Sequence, residues 1–151
     1  FLGAVMSGIV VEGVNHVGLP SFKEDWPKIR AFWEWLGLSC RDFDVRDAAY
    51  DHGGAGPRLQ VFAGTRLVVS YHGKPPMGTS KIIVENILER VCRQMHIALT
   101  MAPSGLESVR KHHAFERETH WGYGLTSVFL TGPYGLHVEM VATDPDYHRA
   151  S

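Results

Sequence analysis

Apolar residues recur along this chain with two different periods. Between Lys23 and Leu36, residues Ile29, Phe32, Trp33 and Leu36 return every three or four positions, which is the spacing of one helix face. Pro27 sits near the start of that segment, where its missing N–H costs little, and Gly37 closes it. The same period predicts a helix over KIIVENILERVCRQ, with Ile83, Ile87, Leu88 and Val91 as its stripe and Ser80 as its N-cap. A third helix is predicted over about Ser104–Ala114. Elsewhere β-formers dominate, near Val14–Leu19, Leu38–Val45, Arg58–Ala63, Arg66–Tyr71 and Met95–Met101. Two further strands, LTSVFLT and LHVEMVA, are joined by the turn GPYG. The order reads as an α+β fold made of paired βαβββ modules, about 14–73 and about 95–141, with a helical linker between them. Residues 14–145 form the expected domain, 1–13 an extension and 146–151 a tail.

Composition narrows the partners. The 151 residues suffice for one domain with a real core, and the formal net charge of −1 comes without a long run of either sign. That pattern argues against a nucleic-acid footprint and against an anionic membrane patch. No apolar stretch approaches the roughly 20 residues that span a bilayer. The opening FLGAVM lacks the regions of a secretory signal, and Met6 is a candidate initiator. Cys40 and Cys92 define no disulfide framework and read as apolar fillers, so a cytoplasmic protein with reduced thiols is expected.

Three strand segments carry chemistry: VNHVGL, QMHIAL and LHVEMV. His16 and His96 each open a half of the chain inside an apolar strand, and Glu139 stands between Val138 and Met140 in the last one. A carboxylate there must be paired, hydrogen-bonded or metal-bound, because burying it alone is prohibitive. Alternation puts His137, Glu139 and Val141 on one face and Leu136, Val138 and Met140 on the other. Two neutral imidazoles and one carboxylate suit Fe(II) above all, and also Mn(II), Zn(II) or Ni(II), with coordination positions left open. His16, His96 and Glu139 are therefore the expected metal ligands.

From about Val14 to Val141 this arrangement resembles the vicinal oxygen chelate superfamily, which includes glyoxalase I, extradiol dioxygenases and bleomycin-binding proteins. The resemblance implies an open, mostly antiparallel, barrel-like sheet around a metal, and a small-molecule substrate. It also implies a homodimer, since relatives often build the barrel from two chains. The four-ligand isomerases of the family take a further carboxylate or amide from the last strand of the first module, where Val68 of RLVVSYH stands. The stretch HWGYGLTSVFLTGPYGLHVE is similar to the extradiol dioxygenase signature, with His120, Val128, Pro133, Gly135 and Glu139 at its spacings and Phe129 in place of its tyrosine. By the same resemblance His72 and His120 are the expected catalytic histidines, His72 moving a proton near neutrality. Dioxygenase-type chemistry leads. Two alternatives are a glyoxalase- or epimerase-type lyase or isomerase, and a metal-free drug-binding protein.

Several other residues are expected to have structural roles. Trp26, Phe32, Trp33 and Trp35 read as packing, His112 and His113 as cations at a helix end, and His148 as part of an exposed tail. His52 sits in a glycine-rich loop, Tyr123 and Tyr134 near turns, and His137 on the same predicted face as Glu139.

Overall fold

Helix α1 (Trp26–Trp35) follows a single 3₁₀ turn (Lys23–Asp25), carries Pro27 in its first turn and buries Trp26, Ile29 and Trp33. It ends before Gly37, whose φ of 84° is a left-handed conformation that glycine adopts without steric cost. Helix α2 (Lys81–Cys92) starts where the hydroxyl of Ser80 accepts from the backbone N–H of Ile83, so the predicted cap forms. Helix α3 (Pro103–His112) gathers Arg110, Lys111 and His112 in its last turn, where positive charge complements the helix dipole. These assignments come from a computed structural model that describes residues 14–45, 56–73, 80–112, 115–121 and 124–144.

The strands form two four-stranded mixed sheets. The first holds β1 (Val17–Pro20), β2 (Ser39–Val45), β3 (Gly56–Ala63) and β4 (Arg66–His72) in the order β1-β4-β3-β2. The second holds β5 (His96–Thr100), β6 (Arg117–Trp121), β7 (Leu125–Thr131) and β8 (His137–Thr143) in the order β5-β8-β7-β6. In each sheet the first strand pairs in parallel with the last, and the remaining pairs are antiparallel. The expected βαβββ repeat is therefore present, as two open sheets. Strand β6 has no counterpart in the sequence reading, because RETHW carries too little apolar character to mark a strand. The first strand also begins later than expected, so His16 lies just ahead of β1.

Both sheets turn one face to a single core shared with the helices. Trp33, Leu59, Val61, Val69 and Tyr71 of the first half belong to the same buried cluster as Leu106, Val128, Leu136 and Val138 of the second. Trp33 donates its indole N–H to the Tyr71 hydroxyl at 3.0 Å inside that core, and Phe32 meets its ring edge-on at 5.1 Å. Burial holds the Tyr71 phenol protonated far above its ordinary range. The turn Pro133–Gly135 between β7 and β8 is tied to the start of α1: Tyr134 donates to Asp25 at 2.8 Å and accepts from the N–H of Phe22 at 3.1 Å. Tyr134 thus links the modules, and it holds a left-handed φ of 56° while doing so. Among the described residues no helix is long and apolar enough to cross a membrane.

The end of β4 is fixed by a small anchor. Ser21 donates both its backbone N–H (2.8 Å) and its hydroxyl (3.1 Å) to the carbonyl of His72, and it accepts from the indole N–H of Trp26 at 2.9 Å. The next residue, Gly73, lies so close to that indole that a Cβ would stand 2.7 Å from the Trp26 ring. Gly73→Ala is expected to lower unfolding stability by about 1–3 kcal/mol through overpacking, measured by urea titration. Unchanged stability would show that Trp26 shifts freely.

Candidate functional site

Alternation along the strands gives each sheet a second, polar face. In β8, Val138, Met140 and Ala142 are buried while His137, Glu139 and Val141 point the other way, as the sequence predicts. In β4, Val69 and Tyr71 face the core, which places Ser70 and His72 on the opposite side. The polar face of the second sheet also carries Ser127 and Phe129 from β7 and Arg117, Thr119 and Trp121 from β6, by their cross-strand register.

Two of the expected ligands meet on that face. Parallel pairing sets Ala98 opposite Glu139 and His96 opposite His137, and it brings His96 Nε2 to 3.8 Å from Glu139 Oε2. Two donors that each lie about 2.1 Å from a shared metal stand up to about 4 Å apart, so this spacing fits a cation between them. The imidazole is mostly exposed, whereas the Glu139 side chain keeps 13% of its surface. The other carboxylate oxygen is already engaged: Ser127 donates its hydroxyl to Glu139 Oε1 at 2.6 Å and accepts from the Trp121 indole N–H at 2.7 Å. Sequence reasoning missed Ser127 and Trp121. The only signal for Ser127 was its place two residues before Phe129, on the same strand face.

His16 is not in that group within one chain. Its Nδ1 pairs with Asn15 Oδ1 at 2.7 Å, beside the first sheet, and its donor atoms do not join His96 and Glu139 within 4.8 Å. It lies near His72 instead. The His72 ring crosses Gly18, where a Cβ would stand 3.3 Å from Nε2. Burial, then the charges of Arg58 and His16, hold the His72 imidazole below the ordinary value of 6.5. Register also identifies the counterpart of Glu139 in the first module. Ser70 lies opposite Gly18 as Glu139 lies opposite Ala98, so the equivalent residue is Ser70, two positions beyond Val68. Serine brings no carboxylate there either.

His120 stands elsewhere. It pairs in register with Thr126, which belongs to the core-side face of its sheet, so its ring is turned away from Glu139. Its Nδ1 lies 3.0 Å from the Thr126 hydroxyl, which donates to Asp144 Oδ2 at 3.0 Å. Glu118, His120 and Asp144 offer donor atoms that all lie within 4.8 Å of one another, the proximity a bound cation needs. Arg110 already occupies the middle of this group. Its guanidinium bridges Glu118 and Asp144, with 2.9 Å to Asp144 Oδ2. A metal ion entering there must displace an arginine that both carboxylates keep charged.

Phe129 is the cross-strand partner of Glu139 and lies under the Arg117 guanidinium at 4.3 Å. Burial leaves the thiol of Cys92 with a raised pKa and pushes that of Cys40 up to about 11, so neither is poised as a nucleophile or ligand. His112 is exposed at the end of α3. His52, His113, Tyr123 and His148 lie outside the described residues.

The two βαβββ sheets give the chain a fold that it shares with solved glyoxalase-type structures. Among solved structures, the chain is similar to a glyoxalase family protein from Bacillus anthracis, with a TM-score of 0.57, 13% identity, and coverage of 90% of this chain and 98% of that one. It is likewise similar to the integron cassette protein VCH_CASS1 of V. cholerae (TM-score 0.54, 16% identity, 89% and 97% coverage). A third likeness is to lactoylglutathione lyase from Agrobacterium tumefaciens (TM-score 0.51, 14% identity, 87% and 94% coverage). No family model matches the chain, and no curated protein matches it in sequence.

The position of His72 sets a pH dependence. A folded pKa held below 6.5 means that the folded chain binds fewer protons than the unfolded one as pH falls past that value. The stability His72 contributes is full above pH 6.5 and is lost as pH falls through the lowered folded pKa. Titration followed by NMR should place its midpoint below 6.5, and a midpoint above that value would contradict the burial described.

Proposed function

We propose that the protein is a metal-dependent enzyme acting on a small molecule that chelates the metal through vicinal oxygens. The observation that carries this reading is the pair His96 and Glu139, set side by side on a polar sheet face by parallel strands. His16 completes the ligand set from a second copy of the chain, whose first sheet faces the second sheet of its partner in a homodimer. The separation of His16 from the other two donors within one chain supports this arrangement. His16, His96 and Glu139 would hold a divalent ion, Fe(II) favoured, which would supply a Lewis acid with open coordination positions. His72, kept neutral near pH 7, is the proton acceptor beside His16.

The reaction proposed first is of the dioxygenase type, because three protein ligands leave room for both substrate oxygens and for dioxygen. Two observations favour a second reading, a lyase or isomerase that moves a proton next to a polarised carbonyl. His120 faces away from Glu139, and Phe129 has no hydroxyl to offer. In both readings His72 remains the base and His120 contributes through the Arg110 network.

Complementation between variants tests the shared site. His16→Ala and Glu139→Ala are each expected to abolish metal binding. Mixed after unfolding and refolding together, they should regain about a quarter of the wild-type metal content, since half the dimers are mixed and each of those rebuilds one of two sites. A mixture that stays empty while the wild type binds would place the whole site in one chain. A wild type that binds no metal even after reconstitution would leave a metal-free binding protein. Oxygen consumption by the Fe(II)-loaded protein with a panel of catechols separates the two reactions, and silence there alongside turnover of a hemithioacetal or an acyl-CoA epimer reverses their order.

A further inference from the structure

We propose that Trp121 and Ser127 are positioning residues that commit Glu139 to holding a cation through one oxygen, Oε2. The inference rests on the metal reading above and concerns how this chain prepares its carboxylate. An indole N–H can only donate, so the contact of 2.7 Å from Trp121 Nε1 takes a lone pair of the Ser127 oxygen. The single hydroxyl proton of Ser127 is then left for Glu139 Oε1, 2.6 Å away. Direction runs one way along the relay, from indole to hydroxyl to carboxylate.

The relay sits on one sheet face. Thr119 of β6 is the cross-strand partner of Ser127, Ser127 is the partner of Val141, and Glu139 is the diagonal neighbour two residues away. Ser127 is fully buried, so water does not compete for its hydroxyl, whereas Trp121 keeps 46% of its surface and flanks the face that a ligand approaches. With Oε1 held, the carboxylate cannot rotate to grip a cation with both oxygens, and Oε2 stays on the side of His96. A carboxylate fixed in this way binds with less ordering cost and leaves one more coordination position for substrate.

Cobalt(II) binding to the full-length protein tests the relay, with affinity measured by calorimetry and the carboxylate stretching bands by infrared difference spectroscopy. Ser127→Ala is expected to weaken cobalt binding by about 10- to 100-fold and to move the bands from one-oxygen to two-oxygen binding, with thermal stability near wild type. Trp121→Phe keeps a ring at a half-exposed position and removes only the donor, so a smaller loss in the same direction is expected, and it serves should Ser127→Ala fail to fold. Wild-type affinity and unchanged bands in a folded variant of either kind would overturn the proposal. A wild type that takes up no cobalt would overturn the metal reading itself, before any substitution is made.

Discussion

The parallel pairing of β5 with β8 is the constraint on which the candidate site depends. A parallel neighbour places residues of like face side by side along evenly spaced hydrogen bonds. His96 at the start of β5 therefore reaches Glu139 in β8 although 43 residues separate them. The same pairing leaves the alternate residues, Val138 and Met140, locked in the core. Moving Glu139 to the other face would require a register slip that exposes those two side chains, so the core holds the carboxylate in place at no local expense.

The first sheet repeats this design with different chemistry. Its parallel pair, β1 with β4, places Gly18 beside Ser70, where the second sheet has Ala98 beside Glu139. One half then presents imidazoles, His16 and His72, and the other presents an imidazole with a carboxylate. The acid–arginine group of Glu118, Asp144 and Arg110 lies on the reverse, helix-side face, where it pins α3 against the sheet. Charges of opposite sign are thus matched on the structural side, while polar groups able to hold a ligand stand on the other.

Much of this was legible in the chain. The helical period of Ile29–Leu36 and the alternation around Glu139 arise from burial itself, which a sequence records directly, whereas of the stripe predicted for α2 only Leu88 is buried and Ile83, Ile87 and Val91 are exposed. The β6 strand was hidden because RETHW sits at a sheet edge with little to bury, and its identity comes from pairing with β7. His120 shows the limit of matching by spacing. The distance from His120 to Glu139 along the chain fits a dioxygenase signature, yet the face that a side chain takes depends on register, and Thr126 sets it toward Asp144. Ser127 and Trp121 escaped for a related reason: a serine and a tryptophan six residues apart signify nothing until two strands fold against each other.

Gly18 carries a consequence for how the two halves relate. The imidazole of His72 covers it, so a methyl group at that position meets a nitrogen, whereas Ala98 in the second half carries a methyl group with valine, Val141, at the matching place. The modules share a backbone plan but are no longer exchangeable parts. A chain assembled from two copies of the first module would offer histidines on both faces and no acid between them. A chain assembled from two copies of the second would have its acids and lack the His72 imidazole. Each half therefore supplies groups that the other lacks.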